Sequence, residues 1–299
     1  MLEAAAAAGP VPVAIAAAQE LQILAATSKA EQLGIVRAIL IGDAAEIQQL
    51  SVEHDLDLSG MHVTDQPDPV AAAEETMHMV ARGEARAAIK GQLQTSEFLH
   101  AALQREAGLR TGRLVTHVGV FLVPDLDRLL FISDGGVVLY PTKEQKIEIV
   151  SNAIEVAQAL GVDQPRVALL AAADQVLPQL PVTGQIADIV AMQDRWRSEA
   201  AWVDGPFLLD TAVSLPIALQ QGRNGPVAGR AEVLVGPDVE SVNIMAKGIT
   251  YFAGGRMAGL VVGAQAPLVV GSRADPPETR LACIAAGALL AMRMDSRAA

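Results

Sequence analysis

A single cysteine stands in 299 residues, so no disulfide can close within the chain. Cys283 lies in the apolar run LACIAAGALLAM and reads as a small buried hydrophobe rather than a nucleophile. A reducing, cytoplasmic compartment is the expectation that follows. Aromatic residues make up only 3%, which leaves a core of Ala, Val, Leu and Ile, as in helices laid on a parallel sheet. Basic residues are outnumbered, 22 Lys and Arg against 34 Asp and Glu, for a formal net charge of −12. No basic stripe is left to neutralise a nucleic-acid backbone, so nucleic acid is not an expected partner. No uninterrupted apolar run reaches membrane-spanning length, so a membrane is not expected either. The opening MLEAAAAAGPVPVAIAAA lacks the positive segment of a signal peptide and is expected to be a short tail running into a first strand.

Two nucleotide-binding signatures are missing as well. No G-x-G-x-x-G opens the first βα unit, and no G-x-x-x-x-G-K-[ST] occurs anywhere, so dinucleotide and P-loop readings lose their main support. His54, His62 and His78 share no ligand spacing with one another or with carboxylates, and no metal site is expected. His117, in an alternating segment, reads as a hydrogen-bonded core histidine.

What is present is a repeated βα rhythm in a chain long enough for two domains. Apolar runs at 13–18, 36–41, 61–64 and 86–89 predict strands, and the stretches 19–33, 43–50, 69–82 and 96–105 predict the intervening helices. This is the alternation of a parallel α/β sheet. Residues 114–123 and 129–132 break it with a hairpin. The alternation then resumes with helices at 143–160, 185–195 and 206–219 and strands at 166–172 and 201–204. Thr142 and Gln145 stand in capping-box relation at the start of the first of these helices. The expected division is 1–134 with 264–299 as one α/β domain and 135–263 as the other.

The most informative stretch is 225–278. It predicts a strand (231–235), a turn at Gly236-Pro237, a helix (239–251), two strands (259–262 and 267–270), then Ser272-Arg273 and a final helix. Asp275 as N-cap, Pro276 at the first helical position and Glu278 three residues on would start that helix. A helix N-terminus beside a serine and an arginine suits an oxyanion such as phosphate. Lys90-Gly91 ends another predicted strand, where a cation meets a close backbone approach. Asp134-Gly135-Gly136 ends a third.

The run GPVAGRAEVLVGPDVESVNIMAKGITYFAGGRMAGLVVGAQAPLVVGSRADPPET resembles the C-terminal signature of the phosphate acetyl/butyryltransferase family, more closely its butyryl branch. KGQLQTSEFLHAAL, LVTHVGVFLV, SDGGVVLYPT and DGPFLLDTAVS follow that family's order, so the resemblance spans most of the chain. It implies a two-domain α/β protein of parallel-sheet, three-layer architecture, similar to the isocitrate/isopropylmalate dehydrogenase-like fold, with the active site in the interdomain cleft. It also implies a homodimer and reversible transfer of a short acyl group between coenzyme A and inorganic phosphate. Coenzyme A is then a substrate, and no permanently bound cofactor is expected.

On that resemblance Ser272, Arg273 and Glu278 are the catalytic candidates. Lys90, Gly91, His100, Asp134, Asn243, Lys247, Arg256 and Asp275 are candidates for binding phosphate or coenzyme A. Two departures stand out. His100 occupies the place where the acetyl branch carries the arginine of its T-L-R-P-A motif. Thr279 occupies the place of that branch's basic aspartate, seven positions after the motif serine, so Glu278 or Asp275 would have to substitute. These departures leave a second expectation open: a non-catalytic acyl-CoA-binding regulatory protein of the same fold.

Overall fold

The computed structural model describes residues 1–272 and 275–298, without the side chains of residues 297 and 298. Its contacts divide the chain into two compact units, Met1–Arg113 with Ala258–Ala299, and Leu114–Met257.

The first unit is built from α1 (Leu2–Ala7), β1 (Val11–Ala16), α2 (Leu21–Gln32), β2 (Val36–Gly42), α3 (Ala44–Glu53), β3 (His62–Asp65), α4 (Pro69–Ala81), β4 (Ala88–Lys90) and α5 (Thr95–Leu103). Alanine-rich residues expected to form a tail thus form a short helix, in keeping with alanine's helix propensity. Asp43 and Asp68 cap α3 and α4, accepting from Glu46 N–H and Ala71 N–H. Nearly all of β1 is buried, as a strand covered on both faces should be. Its neighbours β2 and β4 run parallel to it.

The chain rejoins this unit late. Strand β11 (Leu268–Val269) lies parallel to β4, pairing Leu268 with Ala88 and Val269 with Ile89. It is antiparallel to β10 (Arg256–Val262). The strand order here is β3-β2-β1-β4-β11-β10. Helix α12 (Pro277–Ala298) packs on α2 and β1. Its buried stripe runs through Arg280, Cys283, Ile284 and Ala291 at helical spacing, so an arginine is built into an otherwise apolar face.

The second unit opens with an antiparallel hairpin, β5 (Thr116–Leu122) and β6 (Leu130–Ser133). It continues with α6 (Lys143–Ala159), β7 (Arg166–Leu170), α7 (Pro181–Val190), α8 (Gln193–Ser198), β8 (Trp202–Phe207), α9 (Leu209–Val213), α10 (Leu215–Gln220), β9 (Val233–Val235) and α11 (Val239–Phe252). The strand order is β5-β6-β9-β7-β8, parallel throughout except for the hairpin. Its core includes Phe121, Ile132, Leu170, Phe207, Leu234 and Val242. The Thr142–Gln145 capping box is present at the start of α6.

Two expected helices are each two. The one at 185–195 begins earlier and is interrupted after Val190, where the Trp196 indole donates to the Ile189 carbonyl (2.8 Å) and Gln193 Nε2 to the Val190 carbonyl (2.6 Å). Side chains take over carbonyls that a continuous helix would have used. The one at 206–219 is interrupted at Ser214, with Pro216 in the first turn of α10 supplying no N–H.

The boundaries also differ from 134/135 and 263/264, and local bonds show why. Asn152 on α6 donates to the Leu114 carbonyl (2.9 Å) and to Thr116 Oγ1 (3.0 Å), which fastens the hairpin to the second unit. Thr111 Oγ1 donates to the Gly263 carbonyl (2.6 Å) and Gln265 N–H to the Leu109 carbonyl (2.8 Å), which fastens the far end of β10 to the first. Among the described residues, no helix is long and apolar enough to cross a membrane.

Candidate active site

In the first unit the strand order reverses between β1 and β4, because the chain leaves β1 for β2 and β3 on one side and returns to β4 on the other. Ligands of open α/β sheets bind at the carboxyl ends of strands at such a point. Here those ends are Ala16 to Glu20 after β1 and Lys90 to Leu93 after β4. The backbones approach closely: Gly91 N–H donates to the Ala16 carbonyl (2.9 Å) and Gln92 N–H to the Ala17 carbonyl (2.8 Å). Ala17 takes left-handed backbone, φ 49°, which costs a non-glycine residue about 1–2 kcal/mol. Lys90 is buried, and its ammonium donates to the carbonyls of Gly91 (3.2 Å) and Leu93 (3.1 Å). It therefore braces the loop after β4.

The turn after β11 brings Ser272 and Asp275 together. Ser272 N–H donates to Asp275 Oδ2 (2.7 Å), and Asp275 N–H donates back to the Ser272 carbonyl (3.0 Å). This corrects the expected cap: α12 begins at Pro277, and this carboxylate oxygen closes the turn that carries Ser272. Ser272 and Glu278 are exposed and Thr279 is buried. Arg273 lies outside the described residues. His100 is exposed on α5, hydrogen-bonded to Gln104 one turn on.

Behind this turn is a pair that sequence reasoning missed. Arg280, 1% exposed, donates from Nη2 to Glu20 Oε1 at 2.7 Å, joining the first turn of α12 to the start of α2. Breaking such a buried pair from one side typically costs about 3–5 kcal/mol. The signal was the position of Arg280 on the apolar stripe of α12, a charge in a place that demands a partner. Cys283 lies one turn further along. Burial first, and then the Asp275 carboxylate, push its thiol pKa up to about 12. A thiol so held is not a nucleophile at neutral pH.

In the second unit Asp134, at the end of β6, is buried and fully engaged. Its Oδ1 accepts from Gly136 N–H (2.8 Å) and Val137 N–H (2.9 Å), and its Oδ2 from His117 N–H (2.9 Å). Asn243 on α11 donates to the Gly135 carbonyl in the same turn (3.1 Å). These two expected site residues therefore both bond to the turn after β6. Lys247, one turn beyond Asn243, and Arg256 are exposed. Lys146, on the buried stripe of α6, donates to the Pro237 carbonyl (3.2 Å) and borders a recess of about 330 Å³ at the carboxyl ends of β7 and β9. Burial pulls its pKa down, opposed by Asp238.

His117 Nδ1 is buried without a hydrogen-bond partner among the described residues. Burial lowers its pKa, with the Asp134 carboxylate pulling the other way. The folded state thus favours neutral imidazole, and the linkage has a definite sign. Its contribution is full above the unfolded value of about 6.5 and is lost as pH falls below it toward the folded pKa. The stability gap between wild type and His117→Asn, from melts between pH 8 and pH 5, should narrow on acidification; a constant gap would remove His117 as the cause. Among the described residues, no group of three His, Cys, Asp or Glu side chains could hold a metal ion.

The architecture is that of an α/β protein with a mostly parallel arrangement of strands. The model of the phosphate acetyl/butaryl transferase family matches residues 1–76 and 68–288, and the chain belongs to that family. It is 41% identical over 281 residues to a phosphate butyryltransferase of Clostridium beijerinckii, covering 94% of this chain and 93% of that one. A phosphate acetyltransferase of Rhizobium meliloti is 38% identical over 265 residues, 89% of this chain and 84% of its own. Among solved structures, a branched-chain phosphotransacylase from Enterococcus faecalis superposes with a TM-score of 0.80 at 29% identity, covering 95% of this chain and 98% of that one.

Proposed function

We propose that this protein is a phosphate acyltransferase that moves a short acyl group reversibly between coenzyme A and inorganic phosphate. The observation that carries the reading is family membership over nearly the whole chain, with a butyryltransferase at 41% identity among the relatives. The fold is read, more finely, as that of the isocitrate/isopropylmalate dehydrogenase group, and a cytoplasmic location agrees with the single reduced cysteine.

In the direction that consumes acyl phosphate, the coenzyme A thiolate attacks the acyl carbon, a C–S bond forms, the C–O bond to phosphorus breaks and phosphate leaves. A free thiol has a pKa near 8.5, so a base that takes its proton raises the reactive fraction. Glu278, exposed on the first turn of α12, is assigned that role, since Asp275 is already bonded to the Ser272 backbone and Thr279 carries no basic group. Arg273 holds the phosphoryl oxygens and the Ser272 hydroxyl donates to the developing negative charge. Lys90, Gly91 and His100 in the first unit, and Asp134, Asn243, Lys247 and Arg256 in the second, are assigned to substrate binding or to bracing the loops that bind. The raised pKa of Cys283 supports direct transfer without a cysteine acyl-enzyme.

The test is release of coenzyme A thiol from butyryl-CoA and phosphate. Turnover with butyryl-CoA above that with acetyl-CoA is expected, by at most about 1–3 kcal/mol per accommodated methylene. No turnover with either, together with tight acyl-CoA binding, would favour the regulatory reading. His100 in place of an arginine and Thr279 in place of an aspartate are the residues behind that alternative.

A homodimer is part of the proposal. Helix α11 buries only Val242 and leaves Ile244 (71%), Tyr251 (73%) and Phe252 (94%) exposed, an apolar stripe that a second copy would cover. Sedimentation should give twice the 31.2 kDa chain mass, and Ile244→Asp with Phe252→Asp should reduce it to the monomer. A monomeric wild type at micromolar concentration would refute the dimer.

A further inference from the structure

We propose that Glu20 and Arg280 form a subsite that selects the hydrogen phosphate ion by offering it two donors and one acceptor. Arg280 spends Nη2 on Glu20 Oε1, while its Nε and Nη1 are buried with no hydrogen-bond partner among the described residues. Glu20 Oε2 is buried and unpartnered in the same sense. An unmet buried donor or acceptor costs roughly 1–3 kcal/mol, more when charged, and three such atoms on one ion pair call for an occupant.

The occupant must accept from two guanidinium N–H groups and donate to a carboxylate oxygen. Inorganic phosphate at neutral pH does both, because it keeps at least one O–H beside its bare oxygens. Sulfate carries no O–H and would face Glu20 Oε2 with lone pairs only.

The location fits such an ion. Glu20 follows the carboxyl end of β1, at the point where the strand order reverses, and is the N-cap residue of the 12-residue α2. Arg280 lies in the first turn of α12, so two helix N-termini add positive potential. Gly271 lets the backbone pack close to the guanidinium without crowding it: a Cβ there would meet Arg280 Cδ at 3.3 Å and Nε at 3.7 Å. Besides Glu20, the Asp275 carboxylate is close by: its Oδ2 would lie 3.7 Å from that same Cβ and accepts from Ser272 N–H. The side chain of Glu20 is 12% exposed, which leaves the pair a narrow opening to solvent.

The inference rests on phosphate being a substrate. An acyl phosphate dianion has no O–H, so the subsite would favour the free ion over the acylated product.

The test uses the full-length protein in phosphate-free buffer, with inorganic phosphate and sulfate titrated separately by calorimetry. Wild type should bind phosphate at least about tenfold more tightly than sulfate, the size of one charge-assisted hydrogen bond. Glu20→Gln keeps the carbonyl for Arg280 and turns an acceptor into a donor, so the preference should fall to about threefold or less. Arg280→Lys should weaken both anions at least about tenfold, because the fork is lost. Melts of each variant confirm folding, and affinities are taken per folded molecule. Equal binding of the two anions by wild type, a preference that survives Glu20→Gln, or undiminished binding by Arg280→Lys would each overturn the subsite. The thiol-release assay separates the two proposals. Acyl transfer with no anion preference would defeat the subsite alone, and anion preference without acyl transfer would defeat the enzymatic reading alone.

Discussion

Arg273→Lys is expected to lower kcat/KM by the equivalent of roughly 2–4 kcal/mol, or about thirtyfold to a thousandfold. Lysine keeps the charge and loses the planar fork that grips two phosphoryl oxygens at once, so the change is not conservative. The expectation comes from sequence position: the residue follows the strand β11, precedes α12, and belongs to a chain with only 22 lysines and arginines. The neighbouring carboxylate in sequence is Asp275, one oxygen of which already accepts from Ser272 N–H. Steady-state kinetics with phosphate varied should show the loss, while the melting temperature changes little. Unchanged kinetics would refute the catalytic role. Lost stability with normal activity per folded molecule would assign the arginine to an ion pair with Asp275.

Gly91→Ala should be among the most destabilising changes of a single methyl group in this chain, by about 3 kcal/mol. The added Cβ would lie 2.3 Å from the Ala17 carbonyl oxygen and 2.7 Å from that of Ala16. Both are backbone atoms at the end of β1, so neither can rotate away. Relief would require parting β1 from β4 and pulling the Lys90 ammonium from the carbonyls it braces. A fall in melting temperature of roughly 6–12 °C follows for a domain of this size. Gly184→Ala is the control. Gly184 lies within α7 with nothing within 4 Å of its added Cβ. That change should stabilise by up to about 1 kcal/mol through helix propensity. A Gly91→Ala protein as stable as wild type would mean that the loop yields.

The capped helices were the most legible elements. Asp43 before α3 and Thr142 with Gln145 at α6 act as their spacing implies, because a cap depends on residues three apart. The same reasoning failed at Asp275. The Ser272 N–H, a neighbour in the turn after β11, competes for its carboxylate, and the helix starts at Pro277, one residue later than expected. Trp196 shows the same limit. Periodicity through 185–195 is compatible with one helix, and only the packed position of the indole shows that its N–H takes the Ile189 carbonyl.

The site was legible in part for a similar reason. Ser272, Arg273, Lys90 and Gly91 stand at predicted strand ends, and strand ends can be read from local pattern. Glu20 is separated from Arg280 by 260 positions, and no spacing rule connects them. A pair of that kind is found only when the sheet places β1 beside β4 and β4 beside β11.

The sequence by itself determined the layer chemistry, the βα alternation, the hairpin at β5 and β6, and the family, because these depend on local periodicity or on long motif runs. Tertiary structure decided where the units divide, through Asn152 reaching Leu114 and Thr111 reaching Gly263. It also decided which charges are buried, and with whom. The partners of buried Lys146 and Arg280 come from segments far apart in the chain, at Pro237 and Glu20. The cost of an unpaired charge in the interior is what forces each of them to find its partner there.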